Sequence, residues 1–348
     1  MRRLSRLAAA VLFLGALLAP LPAQAQQGLD DLSDLGNALR TISEGYADNY
    51  VQPVTNTFGA GVNSALFRGA DVGNSLIPGL PINVYVGVGV PGTLTASMEK
   101  SFQPFGGGQE TFASNERTFT VEYTGSGEVP TVIGETDPPG GNLVVRDQQT
   151  GSVVADAPAP QGLVDTPIAP LVIPQLAVGS IAGTDAQLRY FPKSRLSLAG
   201  SSYGTVGVFG LAVRHDLDQW VPVPVPFNVA VQGSWNQFSL ENDFRGDAQE
   251  VLDASGWAVN LQASKGLPLA PITFYGGLQY ETFNVDYNYT FPLNTTGPPP
   301  EISLSQSAAN NFRGLVGVTF TAAVLRINVD YAAGSAHNVV TAGFGVRL

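Results

Sequence analysis

The sequence predicts an all-β protein, a transmembrane antiparallel β-barrel of about twelve strands, with ten to fourteen left open, and a short N-terminal helical segment. Three observations predict this fold. Only 13% of the 348 residues are charged and the mean hydropathy is +0.11, against about 25% charge in ordinary globular domains. The 40 Gly and 25 Pro disfavour long helices. Several segments alternate between apolar and polar residues, which is the period of a strand.

The first 25 residues have the pattern of a signal peptide. Three arginines among the first six residues precede an uncharged apolar stretch, residues 7–18, and Ala23 and Ala25 form a small-x-small cleavage site. This stretch rises only about 18 Å as a helix, too short for roughly 30 Å of hydrocarbon. We therefore expect cleavage near Ala25 and export to the outer membrane of a bacterial cell.

Two later uncharged stretches, 74–98 and 166–184, are long enough to raise the question of a membrane-spanning helix. Each contains three prolines, and each proline inside a helix removes a backbone hydrogen bond. A chain of positive hydropathy that lacks a continuous apolar helix can still cross a bilayer as a closed barrel, because only helices and closed barrels satisfy every backbone group in lipid. The hydropathy therefore favours a barrel.

The alternation is clearest in the C-terminal half. In Phe227–Trp235 the odd-numbered residues are Phe, Val, Val, Gly and Trp, and the even-numbered ones are Asn, Ala, Gln and Ser. The pattern predicts seven strands, near 203–215, 226–240, 255–265, 272–290, 311–321, 324–333 and 338–348. Residues 82–90, the expected first strand, and 118–123 also alternate, and two weaker candidates lie near 93–102 and 186–191. These make eleven, and a bacterial barrel usually closes with an even number, which is why we expect about twelve.

The connections between the predicted strands add a second argument. Short ones alternate with two long ones, 241–254 and 291–310, as in outer-membrane barrels, whose short turns face the periplasm. The last hairpin, near 334–337, is the exception, because it is short where a long loop is expected. Trp235 and Trp257 are then expected on the lipid face at the outer edge of the membrane, in an aromatic girdle. A soluble β-sandwich is the rival fold, but it has no reason to alternate its loop lengths.

The sequence divides into three regions. We expect a signal peptide at 1–25, an N-terminal helical plug or lid at 26–80, and an outer-membrane barrel at 81–348 with a Pro/Gly-rich insertion near 125–174. Leucines of residues 29–42 recur at helical spacing and line one face, and Pro53 is expected to interrupt the helix. Whether this region covers the inner mouth as a lid or enters the lumen stays open. Within the insertion, residues 143–155 predict a small hairpin outside the membrane.

Residues that could perform catalysis or bind metal are scarce. His215 lies between Arg214 and Asp216, where adjacent side chains of a strand point to opposite faces, and His337 lies in the last outer hairpin. Cysteine, paired histidines and a calcium-loop pattern are all absent from the sequence. We therefore expect no enzyme activity, no metal and no cofactor. The 28 acidic against 17 basic residues also argue against a nucleic-acid partner.

Strand parity predicts which polar residues face the lumen. The expected lining is Gln187, Arg189, Arg214, Asn228, Gln232, Asn260, Gln262, Gln279, Glu281, Arg326, Asp330 and Arg347. Charged groups there are satisfied by water or by one another, which lipid does not allow. Two interpretations stay open: Arg326, Asp330 and Arg347 form an ion-pair network that braces the wall, or the lining selects solutes in a pore. The mixture of amides and both charges favours a narrow or plugged barrel.

Two stretches resemble a known family. Asp48–Asn56, followed by Phe58–Ala65, resembles the helical N-terminus of an uncharacterised family of bacterial outer-membrane β-barrel proteins. Val208–Leu217, with Trp220 and Pro226-Phe227, is similar to that family's barrel motif, in which a basic-His-Asp triplet leads to a Trp-Pro turn. The resemblance implies the fold and the outer membrane, and it implies no activity. The plan of N-terminal helices before a barrel is also similar to long-chain fatty acid transporters, by architecture alone.

Two functions follow as hypotheses. The first is passive transport of a small solute, hydrophobic solutes included, across the outer membrane. The second is a non-conducting structural or interaction barrel that uses its external loops. The expected partners are outer-membrane lipid, the barrel assembly machinery through the C-terminal strand, and a small hydrophobic ligand.

Overall fold

A computed structural model of the protein describes residues 46, 48–72, 82–114, 117–135, 137–162, 167–198, 201–220, 226–244, 248–290 and 301–348. The predicted signal peptide, the leucine pattern of 29–42 and the Trp-Pro turn at 221–222 lie outside these residues. The helix α1 (Asp48–Val62) precedes the strands. Among the described residues, none of the helices has the length and apolar character needed to span a membrane.

Eighteen strands occur in the described part of the chain, and many are short. In chain order they are β1 (Asn83–Leu94), β2 (Ser101–Phe102), β3 (Gln109–Ser114), β4 (Arg117–Tyr123), β5 (Val129–Pro130), β6 (Asn142–Asp147), β7 (Val153–Pro158), β8 (Ile168–Pro170), β9 (Ile173–Ile181), β10 (Thr184–Leu198), β11 (Ser201–Asp216), β12 (Asn228–Phe244), β13 (Ala248–Gly266), β14 (Ile272–Thr290), β15 (Glu301–Ser307), β16 (Phe312–Ala322), β17 (Leu325–Gly334) and β18 (Val339–Arg347).

A closed antiparallel barrel is the main body of the structure, and it confirms the predicted fold. Ten of the described strands form the ring, which are β1, β9 to β14 and β16 to β18. The first and last strands of the chain close it, because β18 pairs with β1 from Tyr85↔Arg347 to Thr93↔Val339. Two further strands lengthen the wall, since β8 pairs with β1 and β15 with β14. The sheet therefore has twelve described strands.

The outer surface of the ring is apolar and its inner surface is largely polar. Along β17, Leu325, Ile327, Val329 and Tyr331 are all exposed, and the residues between them are buried. Trp235 of β12 and Trp257 of β13 are directly paired and each is 42% exposed. A soluble protein buries such residues, whereas a membrane barrel presents them to lipid. An antiparallel ring with this exterior is the fold of outer-membrane β-barrel proteins.

The two ends of the barrel differ. At one, the short-turn end, residues 182–183, 267–271 and 323–324 connect strands, and the chain finishes where Leu348 N donates to Val84 O at 2.8 Å. At the other, the insertion end, residues 95–167 leave β1 and return to β8. The described part of this insertion includes a separate sheet in the order β3-β4-β6-β7. The predicted hairpin at 143–155 is confirmed as β6 and β7.

Two barrel-strand assignments made from the sequence were wrong, and one barrel strand was missed. Residues 118–123 form a strand, β4, but it belongs to the insertion sheet, because a period of two does not specify which sheet a strand joins. Residues 93–102 do not form a barrel strand, since β1 ends at Leu94. The barrel strand β9 was overlooked because Pro174 and Gly179 break its pattern.

The long loop predicted at 241–254 was also wrong. Strand β12 continues to Phe244 and β13 starts at Ala248, so the two form one ladder of 17 residue pairs. The ladder extends nine pairs beyond the pair of tryptophans. A strand that projects beyond the lipid needs no apolar face, so acidic residues such as Glu241 and Asp253 replace the hydrophobic alternation on which the prediction depended.

The helix α1 and the residues after it run through the barrel from one end to the other. We call residues 48–72 the inner segment. Tyr50 Oη donates to Gln161 O of the insertion at 2.8 Å, and at the opposite end Asn83 Nδ2 donates to Val72 O at 2.7 Å. The expected interruption at Pro53 does not occur, because one missing hydrogen bond near the start of α1 is offset by packing of its buried neighbours.

Candidate functional site: the lumen and the inner segment

The half of the lumen next to the insertion is apolar. Val51 and Val54 of α1 belong to one buried cluster with residues of β12 to β14 and of the insertion, such as Val132. Phe58 stacks on Phe238 with 4.5 Å between ring centroids. Helix, wall and insertion therefore share a single hydrophobic core, and exposing this core would cost about 25 cal/mol for each Å² of apolar surface.

The other half of the lumen is polar, and buried arginines of the wall bind the backbone of the inner segment there. Arg189 of β10 is fully buried, and its Nη1 donates to Val62 O at 2.6 Å and to Asn236 Oδ1 at 2.7 Å. Its Nη2 donates to Ser64 O at 2.8 Å. The carbonyls of Val62, the last residue of α1, and of Ser64 therefore accept charge-assisted hydrogen bonds, which are stronger than neutral ones.

Arg313 of β16, on the opposite side of the barrel wall from Arg189, also binds the backbone of the inner segment. Its Nη1 donates to Ala60 O at 3.2 Å and to Ser64 Oγ at 2.5 Å. The same guanidinium forms an ion pair with Glu281 of β14, with Nε 3.0 Å from Oε1. Glu281 also accepts a hydrogen bond from Gln279 Nε2 at 2.6 Å. The charge of Arg313 is thus paired although its side chain is only 2% exposed.

Two further arginines of the wall contact the inner segment towards the short-turn end. Arg214 of β11 forms an ion pair with Asp185 of β10 and donates to Gly69 O. Arg347 of β18 lies 3.5 Å from Asp71 of the inner segment. Gly69 has a φ of +120°, which L side chains rarely adopt. The backbone turns there, and the wall arginine binds the carbonyl that this turn presents.

The structure places ten of the twelve predicted lining residues in buried positions. These are Gln187, Arg189, Arg214, Gln232, Asn260, Gln262, Gln279, Glu281, Arg326 and Asp330, whereas Asn228 and Arg347 are half-buried. The amides contact one another, with Gln262 Nε2 2.6 Å from Gln232 Oε1. The cavity that Asn63, Gln279, Arg313 and Asp330 help to line is about 10 Å³, the room of one water molecule.

Among the described residues, Arg326 and Asp330 form no ion pair with each other, so the wall network that was one of the two interpretations is not formed as expected. Asp330 Oδ2 accepts a hydrogen bond from Tyr275 Oη at 2.9 Å, and the described acidic partner of Arg347 is Asp71. The inner segment supplies partners such as Asp71. Strand parity gives no information on contacts with a segment outside the sheet, so these partners could not be predicted.

Sequence reasoning also missed lumen residues that the structure brings together. Arg313 shares its strand face with Leu315, an apolar residue, so polar alternation does not mark this face as lumen-lining. Leu315 is in fact buried in a cluster with Leu66 and Phe67 of the inner segment. Asn236 lies one residue beyond the segment used for the parity argument. Extending the even-numbered positions past Trp235 would have found it.

The triplet at residues 214–216 braces a turn. His215 Nδ1 lies 2.8 Å from Thr184 Oγ1, and its Nε2 accepts a hydrogen bond from Trp220 Nε1 at 2.9 Å. Asp216 Oδ1 accepts a hydrogen bond from Asp218 N at 3.1 Å and does not orient the imidazole. Because both ring nitrogens have partners, His215 links two connections at the short-turn end. In the described ranges, His, Asp and Glu form no cluster that could hold a metal ion.

Comparisons with known proteins give the following similarities. The translocator domain of autotransporter NalP from Neisseria meningitidis is 9% identical, with a TM-score of 0.29, over 77% of this chain and 88% of that one. The outer membrane protease OmpT from Escherichia coli is 8% identical, with a TM-score of 0.28, over 76% and 94%. Ail, the attachment invasion locus protein of Yersinia pestis, is 17% identical, with a TM-score of 0.24, over 48% and 94%. No curated protein matches. The family of unknown function DUF6588 matches residues 1–348, and this chain belongs to that family.

Proposed function

We propose that this protein resides in the bacterial outer membrane as a closed barrel that holds its insertion at the cell surface. The apolar exterior and the paired tryptophans support a position in lipid. The short turns would face the periplasm, and the insertion would lie outside. The C-terminal strand, β18, presents the exposed side chain of Phe344 and is followed by the exposed Leu348. We propose that the barrel assembly machinery recognises this strand. A signal peptide cleaved near Ala25 would direct export.

The observation that carries the proposal is that the inner segment is bound along the whole lumen. Its first half shares a core with the insertion, and its second half is bound by Arg189, Arg214 and Arg313 from separate strands. Removing it would leave several buried guanidinium groups without their partners, at a cost of about 1 to 3 kcal/mol or more for each. The inner segment therefore behaves as part of the fold, which supports a barrel that does not conduct at rest.

The insertion supports the interaction role of such a barrel. Residues 95–167 contain ten acidic and three basic residues, a net charge of −7. A strongly acidic surface repels nucleic acid and other anionic polymers and attracts cationic partners. Glu110 of β3 and Asp156 of β7 are exposed, so these two carboxylates of the insertion sheet are available to a partner. We propose a cationic macromolecule as that partner.

The test locates the insertion on intact cells. A short peptide tag is placed between Thr150 and Gly151, in the turn between β6 and β7, and a matched tag is placed at Leu269 in a short turn. Antibody is expected to bind the first tag on intact cells and the second only after permeabilisation. The reverse pattern, or binding of both tags only after permeabilisation, would contradict the proposed orientation.

Passive transport is the second candidate function, and one observation favours it. The half of the lumen near the short turns is lined by Gln232, Asn260, Gln262 and Gln279, which are side chains that suit a small polar solute better than a hydrophobic one. Transport requires the inner segment to leave the lumen. Single-channel recording of the protein in planar bilayers tests it, because frequent large conductance steps would favour this second function over the closed barrel.

A further inference from the structure

Four buried or half-buried arginines gather near the short-turn end of the described lumen. They are Arg68 of the inner segment, Arg214 of β11, Arg326 of β17 and Arg347 of β18. Arg326 interacts electrostatically with the other three. Two of the four have a carboxylate, since Arg214 is paired with Asp185 and Arg347 lies beside Asp71. These six side chains together carry a net charge of +2.

The other two arginines, Arg68 and Arg326, have no carboxylate within 4 Å in the part of the chain that the structure describes. Arg68 is 6% exposed, and its Nη1 donates to Gln175 Oε1 at 2.9 Å. Its guanidinium carbon lies 4.3 Å from the centre of the Tyr85 ring. These contacts orient the guanidinium but give it no direct ion pair, and Asp185, which acts on it from a greater distance, is already paired with Arg214.

Arg326 is less satisfied still. It is 9% exposed, and its Nη2 makes one long hydrogen bond, 3.4 Å, to Arg68 O. Its Nε is buried and has no hydrogen-bond partner among the described residues. Burying a guanidinium with one long hydrogen bond and no direct ion pair is costly, so such a group points to a missing anionic partner.

Arg68 and Arg326 are close neighbours at this end of the lumen. Arg326 contacts the carbonyl of Arg68, and its strand partner in β18 is Gly345. Gly345 also lies against the Tyr85 ring over which the guanidinium of Arg68 sits. Water and small ions can approach from the short-turn end, because the side chain of the neighbouring Asp71 is 44% exposed.

We propose that Arg68 and Arg326 bind a small inorganic oxyanion of the phosphate or sulfate class. The planar fork of a guanidinium matches two oxygens of such an ion, and a dianion balances the local charge of +2. A free ion is favoured over a lipid headgroup, because both side chains are buried inside the barrel wall. The proposal goes beyond the closed barrel, since the site would bind an anion whether or not the protein conducts.

The test measures thermal unfolding of the full mature chain refolded in detergent. Sodium sulfate or inorganic phosphate is titrated against sodium chloride of equal ionic strength. The expected result is a saturable rise in Tm with the oxyanion above the effect of chloride. Phosphatidylglycerol added to the micelles is expected to give no such rise, and a rise with this lipid instead would overturn the assignment to a free ion.

Two variants and a control locate the effect. In Arg326→Gln the saturable rise is expected to disappear, while Tm in chloride is unchanged or higher because a buried charge without a partner is gone. Arg326→Lys keeps the charge but not the fork, and we expect it to weaken binding about tenfold, the worth of one charge-assisted hydrogen bond. Arg146→Gln, in the exposed insertion, is expected to respond as the parent does. Equal response to sulfate and chloride in the parent, or a full response in Arg326→Gln, would overturn the proposal.

Discussion

Arg313 and Glu281 form a buried ion pair between β16 and β14, and the same guanidinium donates to Ala60 O of the inner segment. Their side chains are 2% and 1% exposed. One residue therefore connects two strands of the wall to each other and to the chain inside. Removing two charges from water is costly, and the pair is favourable only because further hydrogen bonds from Gln279 and to Ser64 Oγ satisfy it.

The first prediction concerns this pair. Glu281→Gln leaves the guanidinium of Arg313 buried without a counter-charge, and we expect the free energy of unfolding to fall by about 3 to 5 kcal/mol. Denaturant unfolding in detergent, followed by tryptophan fluorescence, measures it. Glu122→Gln is the matched control, because its pair with Arg146 is exposed and worth about 0 to 1 kcal/mol. Equal losses in the two variants would contradict the central role of the buried pair.

The second prediction concerns the lipid-facing surface. Leu261 of β13 points outward and is 50% exposed. An arginine there would enter hydrocarbon, and we expect Leu261→Arg to destabilise the barrel by about 2 to 4 kcal/mol in lipid vesicles. Leu269→Arg, in a fully exposed turn between β13 and β14, is expected to change stability by no more than about 0.5 kcal/mol. If both variants were neutral, the proposed membrane position of this surface would be wrong.

The third prediction concerns pH. His337 lies in the hairpin between β17 and β18 at the insertion end, and burial lowers its pKa below the ordinary 6.5 because the charged imidazolium is desolvated. As the pH falls below 6.5, the unfolded chain takes up a proton that the folded chain does not, so stability decreases. We expect Tm of the parent to fall between pH 7 and 5 more than Tm of His337→Gln. If Tm fell equally with pH in the two proteins, His337 would not contribute to the pH dependence of stability.

The sequence predicted the wall better than it predicted the contents of the lumen. Each strand from β12 onward shows its own alternation, so inward residues such as Gln232 and Gln262 could be named without knowing their partners. Pairs such as Arg313 with Ala60 join residues far apart in the chain, and no local pattern reports them. The position of α1 was likewise undecided, because an apolar helical face packs equally well against a mouth or inside a lumen.

The most direct test of the closed barrel is a reversible crosslink between the inner segment and the wall. A Cβ built on Gly69 lies 3.8 Å from Ser264 Cβ, the separation of a disulfide, and the sequence has no other cysteine. In Gly69→Cys/Ser264→Cys the strain at residue 69 is present in the oxidised and the reduced protein alike, so each form is a control for the other.

Single-channel conductance of this double variant is recorded in planar bilayers before and after reduction with dithiothreitol. The closed barrel predicts that large conductance steps are equally rare in the parent, the oxidised variant and the reduced variant. Frequent large steps in the parent and the reduced variant, abolished by oxidation, would contradict it. That result would mean that the inner segment leaves the lumen and that the protein is a gated channel.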